Sequence, residues 1–152
     1  MIRKVLFLIL ILNFLQNCGF APIYSTGKIN KINISSINLN GDWELNNYIK
    51  SSLQRYSSTN VSKIYDINVT TTYSENAISK DSTGKVTNYQ FNIKAIIFVT
   101  SENFKKEYRF EENFIMENFE DQLVRENYER SNKNNIANLI TNKLMIQLSR
   151  LE

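Results

Sequence analysis

The chain has 152 residues, of which 42% are hydrophobic and 22% charged, with one Pro and four Gly. That balance suits a single globular domain and argues against a collagen-like, low-complexity or multidomain chain. With no His and a single Cys, His-based catalytic triads, His or Cys zinc clusters and internal disulfides are all excluded.

In chain order, Arg3 and Lys4 precede an apolar run from Val5 to Leu15 that is broken only at Asn13 and ends at Gln16-Asn17. A charged start and a short apolar segment are the pattern of an export signal, here residues 1–17. The run is shorter than the ~20 residues an unbroken membrane-spanning helix needs, although an uncleaved anchor is the competing reading. The only cysteine, Cys18, follows at once. Leu15-Gln16-Asn17-Cys18 resembles a bacterial lipobox, in which the thiol receives a diacylglyceryl group and the signal is cut just before it. Leu15 fits that pattern, whereas Asn17 replaces the small residue the pattern prefers. The alternative is an inert free thiol, an unusual feature in an exported chain. Loss of residues 1–17 removes Arg3 and Lys4 and no acid, so the formal charge of +3, less two cations, becomes +1. No dense basic stripe is left for nucleic acid.

Residues 18–30 hold the only proline, Pro22, with Gly19, Ser25, Thr26 and Gly27, and read as a tether to a domain spanning 31–152. Ile32, Ile34, Ile37 and Leu39 predict a strand whose apolar set changes parity at Ser35-Ser36, the mark of a bulge or strand end. Asn40-Gly41-Asp42 breaks it and offers Asp42 as a helix N-cap; Leu45, Ile49, Leu53 and Tyr56 then recur at helical spacing. Tyr65, Ile67, Val69, Thr71 and Tyr73 alternate as a second strand, which leads to hairpin chemistry at Asp81-Ser82-Thr83-Gly84. The third strand is the longest, with Tyr89, Phe91, Ile93, Ala95, Ile97 and Val99 on one face. After Ser101-Glu102-Asn103, a fourth strand places Tyr108, Phe110, Phe114 and Met116 on one face, with Glu112 as the exception. From Asp121 to Leu151 there is neither Gly nor Pro, and a helix is predicted. Its first part is sparsely apolar, and its stripe is Ile136, Leu139, Ile140, Leu144, Leu148 and Leu151. The predicted class is α+β: a two-layer sandwich with a four-stranded, mostly antiparallel sheet and two helices packed on one face.

No catalytic constellation is expected, and neither a cofactor nor a metal. Glu111 and Glu112 are neighbours on a strand, so their side chains point to opposite faces and do not form an acid/base pair. Glu117, Glu120 and Asp121 cluster where carboxylates favour the start of a helix; calcium is the weaker reading, because the spaced oxygen ligands of a calcium loop are missing. Ser is plentiful, but no base stands ready to activate one, and no phosphate-cradling glycine loop is present.

The chain resembles the LptE family of outer-membrane lipopolysaccharide-assembly lipoproteins. The resemblance is carried by Cys18-Gly19-Phe20-Ala21-Pro22-Ile23-Tyr24 after the lipobox and by the strand, helix, three strands, helix order over residues 31–151. Thr83-Gly84-Lys85 through Tyr89-Gln90-Phe91 resembles that family's central hairpin, and the helix ending in Leu144 to Leu148 resembles its closing helix. It implies a non-enzymatic protein, acylated (palmitate included) at Cys18. Gly19, where an Asp would act as an inner-membrane retention signal, implies delivery to the outer membrane. The expected partners are an LptD-type β-barrel, in which such proteins sit as a plug, and lipopolysaccharide; nucleic acid is not expected. On this reading Lys80, Lys85 and Arg125 meet lipopolysaccharide phosphates or acidic groups of the barrel, against the simpler reading of solvated charges that keep a loop exposed. Ile96 and Phe98, opposite the apolar set of the third strand, are expected to be partly exposed and to contribute to the barrel contact, unless a loop or helix covers them. The competing function is a lipoprotein subunit or docking module of another envelope lipid transporter.

Overall fold

The structure, a computed structural model, describes residues 31–150. The signal segment, Cys18, the tether and Leu151 lie outside the described residues. Four strands and two helices follow one another as β1 (Asn33–Gly41), α1 (Trp43–Gln54), β2 (Ile64–Lys80), β3 (Val86–Ser101), β4 (Phe104–Glu117) and α2 (Gln122–Ser149). The sheet order is β1-β2-β3-β4; β2 pairs antiparallel with β3 and β3 with β4, while β1 runs parallel to β2. The parallel pair follows from the helix between them, because a crossover returns the chain to its starting end whereas a tight hairpin reverses it. The α+β sandwich expected from the sequence is the observed architecture.

Period-two alternation decides which face is covered. Tyr65, Ile67, Val69, Ile93, Ala95, Ile97, Val99, Tyr108 and Phe110 are all buried, beneath Leu45, Ile49 and Leu53 of α1 and Ile136, Ala137, Ile140, Leu144, Met145 and Leu148 of α2. Residues between them in β2, from Asp66 to Thr72, are exposed. The parity change in β1 is a register shift between Ile34 and Ser36, which returns Ile37 and Leu39 to the covered face. The stripe on α2 is rotated from the expected one. Leu139 is exposed, and Ala137 and Met145 take inward positions, so the helix meets the sheet through 133, 136/137, 140/141, 144/145 and 148.

Local chemistry sets the turns. Gly41 ends β1 at φ +100°, where a Cβ would lie 1.8 Å from the Thr71 carbonyl oxygen on the paired strand. Asp42 caps α1 by accepting from the Leu45 amide (2.8 Å), and Asp121 caps α2 by accepting from the Leu123 amide (2.8 Å). Buried Asn46 accepts from the Thr71 hydroxyl (3.0 Å), joining α1 to β2 through a satisfied polar pair. In the hairpin, Asp81 Oδ1 accepts from the Thr83 amide (2.8 Å), the Thr83 hydroxyl (2.6 Å) and the Lys85 amide (3.0 Å). The Thr83 hydroxyl, followed by these amides, holds the Asp81 carboxyl below the usual carboxylate range.

In the polar middle of α2, Arg130 to Asn135, the structure places Lys133 with its side chain 8% exposed. Its ammonium reaches Glu44 of α1 (3.0 Å) and Glu129 one turn earlier (3.1 Å), and lies 4.0 Å from the centre of the Tyr73 ring. The Tyr73 hydroxyl in turn donates to Glu129 (2.8 Å), so one cation gathers both helices onto β2. Burial disfavours both charges, but the mutual hydrogen bonds outweigh it: the Glu44 carboxyl lies below its ordinary range and the Lys133 ammonium above its own.

Two outcomes are expected from this packing. Gly41→Ala should cost about 2–4 kcal/mol in a urea melt, because the backbone oxygen of Thr71 cannot move aside. Lys133→Met should cost about 1–3 kcal/mol at neutral pH, because it leaves two carboxylates facing each other without their shared donor. A carboxyl lowered in the folded state contributes stability above the ordinary carboxylate range, and that contribution is lost as pH falls through the folded value. An ammonium raised in the folded state contributes below the ordinary ammonium range and loses it as pH rises through the folded value. Melts across acid pH should therefore show a limb that Glu44→Gln flattens.

Candidate functional site

Two surfaces are candidates, and the fold positions both. The first is the face of the sheet opposite the two described helices. Across its middle run Asn38, Asn68, Phe98 and Glu107, then Asn40, Thr70, Ile96 and Arg109, each row set by strand register. The Asn38 amide donates to Asn68 (2.9 Å) and the Ser36 hydroxyl to Asp66 (2.6 Å). Ile96 and Phe98 are half-buried there, as expected for apolar side chains on a bare face flanked by long neighbours. Exposed Ile115 lies in the row of Asn76 and Gln90. The remaining side chains in these rows are mostly amides, hydroxyls and charges. The face is therefore polar around an apolar centre at Ile96 and Phe98.

The second surface is the far end of the sheet, where the β2–β3 hairpin, the end of β4 and the first turns of α2 meet. Lys85 pairs with Glu120 (3.6 Å), both well exposed, so the pair contributes little to stability. Arg125 pairs with Glu75 (2.5 Å) and lies 4.8 Å from the centre of the Tyr89 ring, half-buried. Its position ties α2 to the hairpin, a packing role that the sequence reading had not assigned. Lys80 ends β2 and forms no ion pair among the described residues. A shallow groove of about 350 Å³ runs past Asp81, Lys85, Asn88, Glu117, Asn118 and Glu120, and its charges are mixed. Lys85 thus has acidic neighbours in Glu117 and Glu120 beside the hairpin.

Beneath the first turns of α2 is an aromatic layer that individual strand patterns did not reveal. Phe91 stacks on Tyr73 (5.5 Å between ring centres) and on Phe114 (4.7 Å), and Phe119 packs against Tyr128 at 5.6 Å. No residue of α2 before Lys133 is fully buried, so this end rests on aromatic stacking and the polar ties of Arg125, Glu129 and Lys133. Glu111 and Glu112 point to opposite faces as expected: Glu111 pairs with Lys94 (3.2 Å), and Glu112 leans to α2 and pairs with Lys143. Glu112, the polar exception on the covered face, is thereby neutralised. The Tyr108 hydroxyl is buried with no hydrogen-bond partner among the described residues. Among the same residues, no group of three or more His, Cys, Asp or Glu is placed to hold a metal. No described helix is long and apolar enough to cross a membrane.

No family model matches the chain, and no curated protein matches it. Solved structures do. The fold is similar to that of the rare lipoprotein B from Shewanella oneidensis, with a TM-score of 0.52 and 13% identity over 76% of this chain and 98% of that one. It is similar also to a minor lipoprotein from Acinetobacter baumannii (TM-score 0.51, 15% identity, 74% of this chain and 93% of that one). A third is an uncharacterised lipoprotein B from Nitrosomonas europaea (TM-score 0.51, 11% identity, 82% and 88%). At these identities the likeness is one of fold: the strand, helix, three strands, helix sandwich is an architecture shared with bacterial lipoproteins.

Proposed function

We propose that the protein is a non-enzymatic outer-membrane lipoprotein of LptE type, lipid-anchored at Cys18, which assembles with an LptD-type β-barrel and assists lipopolysaccharide insertion into the outer leaflet. The observation that supports this most is the coincidence of two independent features. The sandwich overlays 98% of the rare lipoprotein B, and the same chain carries its single Cys directly after an export-type apolar run. In this reading the anchor holds the domain at the membrane, and the helices brace the sheet from behind. The polar face, with Ile96 and Phe98 at its centre, meets the partner. Lys80 and Lys85 offer ammonium donors to phosphate or carboxylate groups at the hairpin end.

The decisive experiment is depletion of the protein in its own cell: surface lipopolysaccharide should fall, and intact surface lipopolysaccharide would overturn the assignment. Phe98→Asp should reduce co-purification with a large β-barrel about tenfold while the far-ultraviolet circular dichroism is unchanged. Loss of the folded spectrum would instead mark Phe98 as a structural residue. The double change Lys80→Ala and Lys85→Ala spares the packing of Arg125 and should weaken binding of purified lipopolysaccharide several-fold in a filter assay; unchanged binding would remove both residues from the ligand site.

A further inference from the structure

Strand register gathers one end of the sheet at the point where the chain enters the domain. Asn33 of β1 lies beside Ile64 of β2, Asp66 beside Thr100 of β3, and Ser101 beside Phe104 where β3 turns into β4. Ile32 enters at this end and bridges to Ser57 just after α1. Residues 18–30 span at most about 45 Å when fully extended, so an anchor at Cys18 keeps this end within that distance of a membrane surface. The β2–β3 hairpin lies about 50 Å further along β2.

The two ends differ in charge. Lys31, Lys63, Lys105 and Lys106 are exposed at the entry end, and none of them has an ion-pair partner among the described residues. The acids nearby are Glu102 in the β3–β4 turn and Asp66, which accepts from the Ser36 hydroxyl. Residues 18–30 add Lys28 and no acid. At the hairpin end, Asp81, Glu117, Glu120 and Asp121 surround Lys80 and Lys85 instead. The Lys63 ammonium lies 5.7 Å from the centre of the Tyr65 ring and the Lys106 ammonium 5.2 Å from that of Tyr108. Both tyrosines are buried, so each lysine rests against the core while its charge stays at the rim. Ile64, 52% exposed, stands between Lys63 and the sheet as an apolar side chain among these cations. Unpaired lysines interleaved with an apolar residue suit an anionic headgroup layer, whose potential attracts each cation only within about a Debye length, ~8 Å, of the surface.

We propose that this end of the domain is a contact surface for anionic phospholipid headgroups, made by a single copy of the chain and resting on the Cys18 anchor of the proposed function. The anchor brings the lysines to the surface, and their charge then orients the domain with its entry end toward the membrane and its hairpin away from it. A contact made by one end leaves Ile96, Phe98 and the hairpin to a surrounding barrel, with the lysines at the barrel mouth, level with the headgroups.

The test reconstitutes the full mature chain in vesicles of phosphatidylcholine alone or with about 30% phosphatidylglycerol. A fluorophore on Asn103→Cys, in the β3–β4 turn, reports energy transfer to a headgroup dye, and one on Ser82→Cys reports from the hairpin. Anionic lipid should raise transfer at position 103 about twofold, about 1 M salt should reverse the rise, and position 82 should not respond. Lys63→Gln, Lys105→Gln and Lys106→Gln together should abolish the rise, and arginine at the same three positions should restore it. The proposal is overturned by the absence of a rise, by a rise that survives the glutamine changes, or by an arginine chain that behaves like the glutamine chain. A rise seen only when purified lipopolysaccharide replaces phosphatidylglycerol would overturn it too. A chain that salt washes off neutral vesicles would remove the Cys18 anchor. Binding of that chain to anionic vesicles alone would still support the contact, and binding to neither kind would overturn it.

Discussion

Alternation of apolar and polar side chains along β2 and β3 is the constraint on which the rest of the molecule depends. Because successive residues of a strand point to opposite faces, Ile67, Val69, Ile93, Ala95, Ile97 and Val99 commit one face to burial, and Asn68, Thr70, Asn92 and Lys94 commit the other to water. Among the described residues two helices are available to cover the apolar side, and both pack there. The single-residue shift between Ile34 and Ser36 brings β1 into the same arrangement, so that even the parallel edge strand contributes Ile37 and Leu39 to the shared core.

The helices are secured to that face by two different means. Toward its C-terminus α2 is held by ordinary burial of Ile140, Leu144 and Leu148. Toward its N-terminus it is held by charge: Lys133 between Glu44 and Glu129, Tyr73 on Glu129, and Arg125 on Glu75. A buried cation flanked by carboxylates from two helices specifies their relative rotation more sharply than apolar contact does, since a one-residue turn of α2 would leave Lys133 unpaired in the core. The same rotation explains why Leu139 faces outward while Ala137 and Met145 face in.

The fold was legible in the sequence where it is governed by short-range periodicity. The strand faces, the irregularity at Ser35-Ser36, the Asp42 cap and the Asp81 to Gly84 turn each depend on residues within a few positions of one another. What escaped depends on elements far apart in the chain. Lys133 and Glu44 are 89 residues apart, Arg125 and Glu75 50 apart, and nothing in the polar stretch from Arg130 to Asn135 distinguishes a buried lysine from a solvated one. Of the candidate site, the half-buried positions of Ile96 and Phe98 followed from their parity. The engagement of Arg125 with Tyr89 and of Lys85 with Glu120 did not, because it requires the hairpin and α2 to be folded against each other first.

On the proposed function, the face of the sheet that no described helix covers meets the partner, and the account stands on where that contact falls. The most direct measurement is in-cell photo-crosslinking from a reactive side chain placed at Ile96 on the bare face and, separately, at Leu139 on the outer side of α2. Adducts with a single large β-barrel from position 96 and none from position 139 are the predicted result. Barrel adducts from position 139 with none from position 96 would contradict the account, because the helices and not the open sheet would then form the contact.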